Sequence, residues 1–173
     1  MQSILAESVL GGVVVAGAVT DLQTGRIPNW LTMPAMAAGL VINSFAGIGL
    51  TKGLCGLLAG LGVYFVFFAI GFRGAGDAKL MGAVGAFVGW PQVIVVMIVV
   101  ALLGAVAALA LALRRGILAP LLSSTASLAV DIFRLRWREV QQRSDFRSPG
   151  GLRMCHGPVI AAGTLLFILF YPA

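Results

Sequence analysis

Six apolar runs separated by short polar breaks organise this chain, at roughly 4–20, 31–48, 54–72, 78–90, 92–113 and 156–172. Most approach the ~20 residues that carry a helix across the hydrocarbon of a bilayer. Lipid offers no partner for a stray backbone N–H or C=O, so the pattern predicts helices rather than open strands. The fourth run is short, and residues 78–113 offer the alternative of one long helix kinked at Trp90-Pro91. Charge decides between the two. A turn at Gly89-Trp90-Pro91 puts Arg26, Arg73, Lys79, Arg114, Arg115, Arg134, Arg136, Arg138, Arg143, Arg147 and Arg153 on one side, 11 of the 12 basic residues, with Lys52 opposite. One continuous span would divide the arginines between the two faces.

The expected architecture is therefore all-α: a polytopic membrane protein of about six transmembrane helices, a single domain over residues 1–173. The positive-inside tendency makes the basic side cytoplasmic and leaves both termini outside. Residues 1–6 carry no Lys or Arg for the basic region of a signal peptide, so the first run is expected to stay as a span. No internal repeat is apparent, and the 23 glycines suggest faces where helices approach closely. Residues 116–155 break the pattern as a basic cytoplasmic or interfacial segment. There Leu128, Ile132 and Leu135 recur at helical spacing among Arg134, Arg136, Arg138 and Arg143, which predicts an amphipathic helix on the inner surface.

Composition agrees. With 60% hydrophobic residues, 10% charged residues and a mean hydropathy of +1.02, the chain lacks the charged surface of a soluble domain. Anionic headgroups, contributing about 1 kcal/mol per nearby Arg or Lys, account for the pI near 10.4 without nucleic acid. Cys55 and Cys155 fall near opposite faces in this topology, so neither a metal site nor a mutual disulfide is expected, and no cofactor is implied.

The acidic residues are few: Glu7, Asp21, Asp77, Asp131, Glu139 and Asp145. The last three lie in the basic segment, where surface ion pairs suffice to explain them. Glu7 is placed to reach headgroups near the outer end of the first span. Asp21 opens Asp21-Leu22-Gln23-Thr24-Gly25-Arg26-Ile27-Pro28-Asn29-Trp30, where pairing with Arg26 or capping of the turn is a sufficient local role. Asp77 ends Gly74-Ala75-Gly76-Asp77 just before the fourth run, a position suited to a helix N-cap.

Span parity brings the two together: two spans separate Asp21 from Asp77, and two more separate Asp77 from His156. Paired carboxylates hydrolyse peptides without a metal or a nucleophilic side chain. One takes a proton from water while the other, protonated, polarises the scissile carbonyl. Two close carboxylates resist ionising together, which favours that division of labour.

These residues resemble the type IV prepilin peptidases, membrane aspartyl proteases with an Asp followed by Ile-Pro-Asn and then a Gly-x-Gly-Asp. Here those are Asp21 with Ile27-Pro28-Asn29, and Gly74-Ala75-Gly76-Asp77 with Lys79. The run Gly157-Pro158-Val159-Ile160-Ala161-Ala162-Gly163 is similar to a third segment of that family, although His156 stands where an aromatic residue is expected. The resemblance implies Asp21 and Asp77 as catalytic residues. It implies Gly74, Gly76, Lys79, Pro28 and Asn29 as shaping the site or meeting substrate. The substrate would be the short basic leader of a type IV prepilin, Flp prepilin or pseudopilin, cut at the cytoplasmic face of a bacterial or archaeal inner membrane, with pilus or secretion machinery as partner. Larger members carry paired CxxC cysteines in an early cytoplasmic insertion and methylate the new N-terminus. Only residues 21–30 join the first two spans here, as in the compact peptidases of tight-adherence pili, so peptidase activity without methyltransferase activity is expected. The alternatives are an ion- or proton-coupled transporter, which calls for acids near the midplane, and a non-catalytic scaffold.

Overall fold

A computed structural model describes residues 2–45, 48–69, 74–115 and 156–171. Within them the chain forms six helices: α1 (Gln2–Thr24), α2 (Asn29–Phe45), α3 (Leu50–Ala69), α4 (Ala75–Val88), α5 (Gln92–Arg115) and α6 (Gly157–Phe170). Each corresponds to one apolar run. Arg73, Cys155 and the amphipathic helix expected within 116–155 lie outside the described residues.

Local chemistry sets the boundaries. Gly25 takes φ 64°, a left-handed conformation that side chains disfavour, and its N–H closes α1 on the Asp21 carbonyl at 2.8 Å. The Pro28 carbonyl then accepts from the N–H groups of Leu31 and Thr32, which starts α2. Gly89, at φ 77°, ends α4, and its carbonyl receives Val93 N–H as α5 begins. Residues 78–113 are thus two helices with a turn, not one kinked helix.

The fourth element starts three residues earlier than its apolar run. Gly74, extended at φ −76° and ψ 146°, is the N-cap, and Asp77 N–H donates to its carbonyl at 3.1 Å. Asp77 is therefore not the N-cap; it lies in the first turn of α4, where the helix dipole favours an acid.

Helix α4 is the core. Ten of its 14 residues are buried, and it packs against every other described helix. At 1.5 Å per residue it is about 21 Å long, short of a ~30 Å hydrocarbon layer. Around it stand helices whose outer faces are apolar, including Val15, Leu58, Phe65, Ile98 and Leu102. Among the described residues, three stretches are long and apolar enough to cross a membrane: Ile4–Thr24, Leu50–Ala69 and Gln92–Leu111. The other three expected spans fall on α2, α4 and α6, of 17, 14 and 14 residues.

Glycines set the register around α4. Along α3, Gly53 faces the Ala86 carbonyl, Gly56 the Gly85 carbonyl and Gly60 the Met81 carbonyl, so α3 and α4 are antiparallel. Along α2, Met36 reaches Gly82 and Gly39 meets Ala86 and Phe87, so α2 and α4 are parallel. At the C-terminal end of α4 the Asn43 side-chain amide donates to the carbonyls of Ala86 (2.6 Å) and Phe87 (2.9 Å), two of the acceptors a helix end leaves unpaired. Helix α6 runs antiparallel to α1, with Gly157 against Asp21 and Leu165 against Gly11.

Candidate active site

The C-terminal end of α1 and the N-terminal ends of α2, α4 and α6 gather at one end of the bundle, and the two aspartates are there. Both are buried, Asp21 at 7% exposure and Asp77 at 8%. Their relation follows from one contact: the Leu80 side chain lies on Gly17, where an added Cβ would stand 3.2 Å from it. Asp21 is four residues beyond Gly17 and Asp77 three residues before Leu80, so each shares the contacting face of its helix. Since α1 ends and α4 begins here, both carboxylates sit one turn past that contact, in the same direction.

The segments around them are tied at three further points. Ile27, buried, packs on Gly76 so closely that a Cβ there would meet the Ile27 Cβ at 3.0 Å. Asn29 Oδ1 accepts from Lys79 Nζ at 2.7 Å, linking the two motifs at the exposed rim. Gly157 N–H donates to Asp21 Oδ2 at 2.9 Å. That N–H is one of the orphan donors of the first turn of α6, so Asp21 caps a neighbouring helix. Gly157 leaves no room for a side chain, because its Cβ would lie 2.8 Å from that of Asp21.

Of the predicted residues, Lys79 and Asn29 are hydrogen-bonded to each other, Gly76 packs on Ile27, and Asp21 and Asp77 lie one turn from the Gly17–Leu80 contact. Gly74 caps α4, its missing Cβ 4.0 Å from Asp77 Oδ2. Pro28 starts α2 and, with Thr20, Thr24, Arg26, Ile27, Asn29 and Trp30, lines a groove of about 400 Å³ beside the site. His156 is the N-cap of α6 by its backbone, with no side-chain capping bond. Sequence reasoning does not find Thr32, fully buried one turn into α2, whose hydroxyl lacks a hydrogen-bond partner among the described residues. Nor did it single out Tyr64, buried on α3. A lone hydroxyl in an apolar run reveals its depth only once the helix register is known. Among the described residues no cluster of His, Cys, Asp or Glu could hold a metal ion.

An apolar-sided helical bundle with two buried aspartates at one end defines a membrane protein with an acidic site. The chain belongs to the type IV leader peptidase family, whose family model matches residues 8–109, a stretch that contains both aspartate motifs and stops short of Gly157. Among curated relatives it is 33% identical over 119 residues to the prepilin leader peptidase/N-methyltransferase of Aeromonas salmonicida (strain A449), covering 64% of this chain and 41% of that protein. It is 37% identical over 94 residues to the Klebsiella pneumoniae protein of the same name (47% and 41%) and 35% over 109 to that of Burkholderia pseudomallei strain K96243 (58% and 35%). The chain thus spans 35% to 41% of the length of these relatives. No solved structure matches.

Proposed function

We propose that this chain is an aspartyl endopeptidase that removes the short basic leader from type IV prepilins, Flp prepilins or pseudopilins at the cytoplasmic face of the inner membrane. Asp21 and Asp77 are its catalytic pair. The observation that carries this is the convergence of two buried aspartates, from family motifs 56 residues apart, on facing turns of α1 and α4. One carboxylate takes a proton from the attacking water and later gives it to the leaving amine, while the other, protonated, donates a hydrogen bond to the scissile carbonyl. Gly74 leaves the approach to Asp77 free of a side chain, Gly76 makes room for Ile27, and Lys79 and Asn29 tie the motif segments together at the rim.

The proposed topology has six crossings, both termini outside and the site inside. It is supported by the positions of the cations: Arg26 and Lys79 lie at the site end, Arg114 at the end of α5 remote from Gln92, and Lys52 near the opposite turn, where its carbonyl accepts Trp90 N–H. Such an excess of cations marks a cytoplasmic face. The relatives' names carry methyltransferase activity as well. We assign only the peptidase here, since just Gly25–Pro28, with no cysteine, connects α1 to α2.

The test is co-expression with a prepilin, following leader loss by a size shift. Asp21→Ala and Asp77→Ala are each expected to abolish processing while the protein stays in the membrane. Processing that survives either change defeats the assignment, and acid-dependent ion flux into liposomes without cleavage makes the chain a transporter.

A further inference from the structure

Helix α3 buries four residues, Gly53, Gly56, Gly60 and Tyr64, three or four apart and therefore on one face. The glycines receive the backbone of α4 directly: a Cβ at Gly60 would lie 2.5 Å from the Met81 carbonyl oxygen, and one at Gly53 3.3 Å from that of Ala86. From Gly56 to Gly60, α3 advances four residues while its contact on α4 retreats four, from Gly85 to Met81. One more step of the same register brings Tyr64 opposite Asp77. The seam thus changes from glycine to tyrosine where it reaches the carboxylate.

Tyr64 is only 4% exposed, with its ring edge-on to Phe67 at 6.3 Å between centroids. A phenol hydroxyl held out of water calls for an acceptor. The neighbouring positions Phe65, Val66 and Phe68 are apolar and exposed toward the lipid side, and Asp77 is the acidic residue in the first turn of α4. We infer that Tyr64 is a positioning residue of the acidic site, donating its phenol hydrogen bond to the Asp77 carboxylate and holding it in one rotamer toward Asp21. This rests on the peptidase reading above. A carboxylate so held is pre-oriented for its partner, and loss of orientation costs rate more than substrate affinity.

Tyr64→Phe in the full chain keeps the ring and its packing on Phe67 and removes only the hydroxyl. The expected result, with purified protein and a prepilin, is a kcat lower by on the order of tenfold or more and a KM within about twofold. A kcat equal to that of the parent overturns the inference. The second measurement is independent of cleavage: Tyr64→Phe is expected to lower the unfolding midpoint in detergent in the parent but not in an Asp77→Ala background, because the hydrogen bond exists only where both partners do. Equal shifts in the two backgrounds overturn it. If Asp21→Ala or Asp77→Ala still cleaves, the peptidase reading fails, and the midpoint comparison still judges the Tyr64–Asp77 contact. If both are inactive and Tyr64→Phe behaves as the parent, the positioning role alone fails.

Discussion

At the far end of the bundle, where α2, α3 and α4 meet, α4 is held by backbone contact and by a satisfied amide: Gly56 lies on Gly85, and Asn43 donates to two carbonyls of the last turn of α4. At the site end the same helix begins with a buried carboxylate, Asp21 stands one turn of α1 past the Leu80 contact, and the polar link between motifs, Lys79 to Asn29, lies at the exposed rim. The far end buries polarity to fix one helix end in place. The site end buries acids, a choice that stability alone does not explain, since a bundle in lipid gains little from carboxylates withdrawn from water. The contrast divides labour along 14 residues of α4, with anchoring at its C-terminus and chemistry at its N-terminus.

The strongest way to break that contrast is to disturb the anchor. In Gly85→Val the new side chain would drive into the Gly56 backbone, which cannot yield as a flexible side chain does. We expect destabilisation of about 3 kcal/mol, with loss of folded protein from the membrane fraction. Next, Gly157→Ala would place a methyl group 2.8 Å from the Asp21 Cβ and 2.9 Å from its Oδ2, so α6 and the Asp21 side chain must both give way. Here the helices are expected to stay assembled while the carboxylate shifts, lowering kcat about 10²-fold, at a stability cost of about 1–2 kcal/mol.

A smaller effect with the opposite signature comes from Asn43→Ala. Loss of its two hydrogen bonds is expected to cost about 1–3 kcal/mol by denaturant or thermal unfolding, while cleavage per folded molecule stays within twofold. An equal loss of kcat would show that the two ends are not separable. Smallest of all, Lys79→Met removes one exposed hydrogen bond and is expected to cost no more than about 1 kcal/mol. A large loss of rate would move Lys79 from the rim into the chemistry.

Much of the helix pattern was legible in the sequence because the length of an apolar run and the charges flanking it mark where a helix in lipid ends and turns. Each of the six runs corresponds to a helix, the turn at Gly89 was set by the arginines, and parity placed Asp21 and Asp77 at a common end. The start of α4 was misplaced because Gly74-Ala75-Gly76 has loop composition, whereas Gly74 acts as the cap and Gly76 admits Ile27. The bond from Gly157 to Asp21 was invisible for another reason: it joins residues 136 apart in the chain through a backbone donor, on which side-chain patterns are silent. Asn43 and Tyr64 are polar residues within apolar helices, and the glycine register shows which face each one occupies.

The most direct test replaces each carboxylate by its own amide. Asn at position 21 or 77 keeps the size of the side chain and, at 21, an oxygen that can accept Gly157 N–H, so the bundle is expected to assemble and remain in the membrane. The measurement is leader removal from a co-expressed prepilin, normalised to the membrane level of each variant. The account predicts that Asp21→Asn and Asp77→Asn each reduce processing to the level seen without the enzyme. Processing at the parent's rate by either variant would contradict it.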